Sequence, residues 1–136
     1  MIRIHNDATG DLRAIMARAP GDAAKLVALI QQLKADPKLL SGMNEAGFGG
    51  NRIGPIGVKP WRTMRNQTGQ KPVFRLRAWD LEAAGLHYRL LYLYNWPDQS
   101  LNILAVVAKR DFDYDAPNDP VRQRVYACIQ REFPGA

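Results

Sequence analysis

Leu12, Ile15, Met16 and Ala19 recur at the i, i+3, i+4, i+7 spacing of one helical face, and Leu26, Leu29, Ile30 and Leu33 repeat it. Two short helices are predicted. Thr9 or Asp7 caps the first, Pro20-Gly21 ends it, and Asp22 caps the second. Asp36-Pro37 stops the second helix, because a residue before proline avoids helical backbone. Residues 37–40 add one further turn, and the pair reads as a helical hairpin. From residue 73 to 79 the period changes to two: Phe74, Leu76 and Ala78 face one way, Arg75 and Arg77 the other. Residues 87–94 are rich in strand formers, and the turn at 95–100 leads to 101–108, apolar enough for a strand covered on both faces. Further short strands are open at 2–4 and 57–61. Asp119 and Pro120 start a closing helix with the stripe Val121, Val125, Cys128 and Ile129, ended by Pro134-Gly135. The layout is α+β: a helical hairpin packed on a small antiparallel meander, then a C-terminal helix, in one domain over residues 1–136.

Between hairpin and meander, Gly42, Gly47, Gly49, Gly50, Gly54 and Gly57 mark residues 41–57 as a loop near the binding face. It lacks the glycine and lysine spacing that cradles a nucleotide, and no catalytic role is assigned to it. Net charge is +6, and its distribution matters more than its sum. Residues 46–110 hold ten basic against three acidic residues, whereas 1–45 hold six against five and 111–136 three against five. Such segregation indicates a face for an anionic partner, which charge alone does not identify as RNA, DNA or acidic protein. No apolar run reaches the roughly 18 residues a bilayer demands. The first residues carry no apolar signal segment, and the lone Cys128 forms no internal disulfide. A cytoplasmic protein with no membrane partner is expected.

The chemistry is narrowed by what is missing. Two histidines, His5 and His87, and one cysteine show no metal-ligand spacing, and no nucleophile elbow or dinucleotide-binding glycine motif occurs. No metal and no cofactor are expected. Arginine, lysine, tyrosine and histidine suit RNA cleavage, because RNA carries its own nucleophile in the 2′-hydroxyl. The enzyme then needs to stabilise the charge of a phosphorane, for which forked guanidinium donors are well matched.

Here the residues resemble a family. Phe74-Arg75-Leu76-Arg77, then Tyr88-Arg89-Leu90-Leu91-Tyr92, then the apolar strand from Asn102 that ends in Lys109-Arg110 with Tyr114 shortly after, look like the RelE/ParE toxin superfamily. The helical hairpin before the sheet fits the same layout. The resemblance implies a RelE-like fold and a metal-independent endoribonuclease toxin that cuts messenger RNA, in association with the ribosome, until a cognate antitoxin neutralises it. Carried over, it implies that Arg75 and Arg77 contact phosphates; Lys109 fits either a further phosphate contact on the RNA or an ordinary strand-end lysine. It implies that Arg89 stabilises the transition-state phosphate. Arg110 stabilises charge or protonates the leaving oxygen, and Tyr114 stacks on or orients the nucleotide. A guanidinium is a poor base, so the base is open; His87, two residues before Arg89 on the same strand face, is one candidate. Two rivals share the scaffold: a gyrase-inhibiting ParE-like toxin, and a non-catalytic nucleic-acid-binding or phage accessory protein. Simpler roles compete at several positions. Arg75 and Arg77 also fit a solvated strand face, Tyr88 and Tyr92 fit core packing, and Trp61 and Trp79 fit an aromatic core.

Overall fold

A computed structural model describes residues 1–136. In chain order the elements are β1 (Ile2–Ile4), α1 (Asn6–Arg18), α2 (Pro20–Ala35), α3 (Pro37–Gly42), β2 (Ile56–Pro60), α4 (Arg62–Gln67), β3 (Val73–Ala78), α5 (Trp79–Ala83), β4 (Tyr88–Asn95), β5 (Ser100–Ala108) and α6 (Pro120–Glu132). A 3-10 turn, Lys109–Asp111, follows β5. The class is α+β, and no helix is long and apolar enough to cross a membrane.

Five strands lie in the order β1-β5-β4-β3-β2. The meander β2-β3-β4-β5 is antiparallel, as its periodicity predicts, but β1 adds to β5 in parallel, so the sheet is mixed. The period-two alternation sends side chains to opposite faces. One face carries Ile56, Val58, Phe74, Leu76, Leu90 and Tyr92 toward α1 and α2, in a core of 21 buried residues. The other carries Val73, Leu91, Leu93, Ala105 and Val107 toward α4 and α6, in a core of 12. With helices over both faces, β5 is buried from Ser100 to Val107, which accounts for its unbroken apolar run.

Leu104 is a β-bulge: Leu91 pairs with Ala105 and Tyr92 with Ile103, leaving Leu104 unpaired. Beside it, the Asp11 carboxylate accepts the Val106 N–H at 2.9 Å and both terminal nitrogens of Arg124 at 2.9 and 2.7 Å. One acid thereby joins α1, β5 and α6.

Two helix starts differ from expectation. The cap of α1 is His5, whose Nδ1 accepts the Asp7 N–H at 3.1 Å, ahead of Thr9 and Asp7. Pro20 opens α2 rather than ending α1, because proline at a first helical position has no N–H to lose. Asp119 caps α6 as expected, accepting from Val121 and Arg122. The short helices α4 and α5 have no counterpart in the expected layout.

Candidate functional site

Beyond the edge of α6, the face that α4 and α6 cover opens into a basic surface. On β3, Arg75 and Arg77 point there because Phe74, Leu76 and Ala78 are committed to the core. Across the β2–β3 ladder, Lys59 pairs with Arg75 and Gly57 with Arg77. Arg89 reaches the same place from β4, so that Lys59, Arg75, Arg77 and Arg89 line one small depression. Beside it a cleft of about 640 Å³ runs along Lys59, Arg62, Thr63, Arg75 and Tyr114.

Aromatic rings frame the cluster. The Arg75 guanidinium lies 4.5 Å from the Tyr114 ring centre, and that of Arg77 lies 5.4 Å from Trp79. Tyr114 is pinned through its carbonyl, which accepts from Trp61 Nε1 at 3.2 Å and Thr63 Oγ1 at 2.9 Å. Trp61, Phe112 and Tyr114 pack edge to face with centroids 4.9–5.9 Å apart. Trp61 is therefore core and a support for the site, while the half-buried Trp79 is part of its rim. The Trp79 ring packs this close to the backbone only because residue 57 is glycine; a Cβ there would come within 2.4 Å of the ring. Trp79 Nε1 donates to the Gly49 carbonyl at 3.0 Å, tying the glycine-rich loop to this rim. Gly49 has φ of +70° and no room for a side chain, since a Cβ would meet the Ile56 carbonyl oxygen at 1.8 Å.

Crowding like charges changes their titration. The Arg77 guanidinium is the chief cause that lowers the Lys59 ammonium pKa, followed by partial burial and the charges of Arg75 and Arg89. Burial lowers Arg77 itself and raises the Tyr114 hydroxyl, which is buried without a partner. Glu82, on α5, is the one acid among these cations. Burial opposes its ionisation, but the His87 hydrogen bond and the Arg89 charge outweigh that and hold its carboxyl below the usual range. Its two oxygens take His87 Nδ1 and Arg89 Nη1.

These contacts sort the residues expected from the sequence. Arg75, Arg77, Arg89 and Tyr114 come together, and His87 joins them through Glu82. Arg89 is buried: its side chain is only 3% exposed and is held by Glu82 and the Tyr88 carbonyl. Lys109 and Arg110 stand apart, with the Arg110 side chain 81% exposed. With His87 and Tyr88 they line a neighbouring pocket of about 420 Å³. His87 borders that pocket and is linked through Glu82 to the basic cluster. Tyr88 and Tyr92 point into the core side, donating to Asp22 and to the Met43 carbonyl, each at 2.7 Å.

Lys59 and Glu82 were not singled out from the sequence. Lys59 had a usable signal: Gly57 and Lys59 alternate with Ile56 and Val58 in the same period as Arg75 and Arg77. Glu82 had none, because α5 is too short for a periodic stripe. The other histidine and the cysteine meet elsewhere, where His5, Asp7 and Cys128 converge from the two ends of the chain. Comparisons with protein-family models, with curated proteins and with solved structures found no match to this chain.

Proposed function

We propose that this protein is a RelE-like toxin of a bacterial toxin–antitoxin pair, an endoribonuclease that cuts messenger RNA on the ribosome and is silenced by a cognate antitoxin. One observation supports the reading above the others: four cations converge on one sheet face, between a tyrosine and a tryptophan ring. A phosphodiester with its flanking bases is the ligand such a surface matches, guanidiniums to phosphate oxygens and rings to base planes.

In the proposed reaction, Arg75 and Arg77 hold the scissile phosphate. Lys59, its ammonium destabilised by Arg77, accepts the 2′-hydroxyl proton as the oxygen attacks phosphorus. The P–O5′ bond breaks, leaving a 2′,3′-cyclic phosphate, and protonated His87 donates a second proton, its own, to the departing oxygen while Lys59 keeps the first. Glu82 holds the other nitrogen of His87 and steadies Arg89 against the cluster. Lys109 and Arg110 take the next phosphate along the strand. No step uses a metal ion.

The test is single-turnover cleavage of ribosome-bound message beside filter binding. Lys59→Met should weaken RNA binding no more than Arg75→Ala does and cleave on the order of 10²-fold or more slowly. Arg75→Ala should bind more weakly, with a salt dependence flatter by about one unit of slope or less. Folded Lys59→Met that cuts at the wild-type rate would overturn the mechanism. Inhibition of gyrase supercoiling by a chain that never cuts RNA would favour the gyrase-poisoning rival.

A further inference from the structure

The edge of the sheet farthest from the basic cluster gathers a second set of reactive groups that the proposed cleavage leaves unused. His5 lies between β1 and α1, Asp7 in the first turn of α1, and Cys128 and Glu132 one turn apart on α6. One donor atom from each of His5, Asp7 and Cys128 lies within 4.8 Å of the other two. Glu132 completes the group, its Oε2 at 2.7 Å from His5 Nε2 and 3.3 Å from Cys128 Sγ. We propose that His5, Cys128 and Glu132 bind a divalent transition-metal ion of the zinc type, with Asp7 behind the imidazole.

Thiolate, imidazole and carboxylate are all donors found in four-coordinate zinc sites, at about 2.0–2.3 Å from the ion. Two such donors around one tetrahedral ion stand roughly 3.3–3.6 Å apart. The Cys128–Glu132 separation lies at the lower end of that range, and the His5–Glu132 separation has to open by about 0.6 Å. The proton inventory is also consistent. The Asp7 N–H donates to His5 Nδ1, so Nε2 carries the ring proton and donates to Glu132, to which the Cys128 thiol also donates. Binding moves the ring proton to Nδ1, which gives up the Asp7 N–H that caps α1 and turns to the Asp7 carboxylate, 3.5 Å away, and it releases the thiol proton to water. The ion takes the Nε2 lone pair, the thiolate and one Glu132 oxygen, with water in the fourth position. A carboxylate on the far nitrogen of a ligating histidine is the arrangement that fixes its ring and tautomer.

Two arginines compete for these acids. Arg131 donates to Glu132 at 3.1 Å, but its side chain is 63% exposed and free to turn outward. Arg124 lies 3.8 Å from Asp7 while both its terminal nitrogens are committed to Asp11. Thiolate and Glu132 together neutralise the ion, so the site does not rely on displacing Arg124. The ion would clasp α6 to the start of α1, on the side away from the RNA-binding surface, and the inference stands whether or not the chain cuts RNA.

Untagged, chelator-treated protein titrated with Co²⁺ alone provides the test. The expected result is a thiolate-to-cobalt charge-transfer band in the near ultraviolet with tetrahedral visible bands, saturating at one ion per chain and displaced by Zn²⁺. Cys128→Ala should abolish the charge-transfer band. Because Cys128 is buried, Glu132→Gln provides a second arm at a partly exposed position, where affinity should fall by about tenfold or more. Zn²⁺ should raise the melting temperature of the wild type and not that of Glu132→Gln. A wild-type chain with no charge-transfer band at millimolar Co²⁺, or a band that survives in folded Cys128→Ala, overturns the proposal.

Discussion

Lys59 and Glu82 are each defined by their neighbours more than by their own type. If Lys59 is the base, its reactivity belongs to Arg77, the largest contributor to its lowered pKa. Arg77→Ala should let that pKa rise, so less lysine is neutral at a given pH and the cleavage profile moves to higher pH. A pH–rate profile unmoved by Arg77→Ala removes Lys59 from that role. For Glu82 the sign runs the other way. Its folded pKa lies below the unperturbed 4.5, so the stability it adds is complete above that value and is lost as pH falls through the folded one. The urea-stability gap between wild type and Glu82→Gln should therefore close on the acid side of pH 4.5. Arg89 is the partner at risk: with its side chain 3% exposed, Arg89→Ala leaves Glu82 with His87 alone and should cost about 3 kcal/mol. Double substitution with Glu82→Gln should recover part of that, which separates lost folding from lost catalysis.

At the scale of elements, the long pieces were legible in the sequence, the short β1, β2 and α3 in outline, and the short helices α4 and α5 not at all. The hairpin, β3 to β5 and α6 each carry a stripe or alternation of several apolar residues, and hydrophobic period is what a chain writes most plainly. Pro20 is ambiguous in the sequence because proline both ends and begins helices, and here α1 runs into α2 with only Ala19 between them. Helix α4 has six residues and α5 five, too few for a period, and neither has a side-chain cap. The cost to the reading of the site was specific: Glu82 lies on α5 and Thr63 on α4. Arg75 and Arg77 were legible in the alternation of β3, whereas Tyr114, outside any helix or strand, was marked only by the resemblance. The separation of Lys109 and Arg110 was not, since it depends on the 3-10 turn after β5. Between elements, Asp11 holds the bulged strand and α6 at once, so Asp11→Ala should cost about 2–3 kcal/mol in urea unfolding. A loss no larger than that of an ordinary surface substitution would show that the bulge is held by packing alone.

For the whole molecule, the charge segregation read along the chain becomes a division between the two edges of the sheet. The cations of β2 and β3 lie toward one, and the His5, Cys128 and Glu132 group at the other. Chelation should act on the two differently. With EDTA, a zinc-loaded chain should melt at a lower temperature, while cleavage, measured where the fold is intact and ribosome integrity is controlled, should keep its rate. Loss of cleavage restored by one particular divalent ion would contradict the metal-independent mechanism.

The parallel pairing of β1 with β5 bears on the order of folding. Ile2 pairs with Leu101, so this ladder joins segments about a hundred residues apart, whereas β2 to β5 are linked by short connections. Closing so long a loop is entropically slow, and local pairings are rewarded first. On a translating ribosome, the strands that carry the cations can pair among themselves while β1 still waits for β5 to emerge. Contacts of Ile2 should then be absent from the folding transition state. Ile2→Ala should speed unfolding and leave refolding nearly unchanged in a stopped-flow chevron. An equal loss in the refolding limb would place β1 in the nucleus instead.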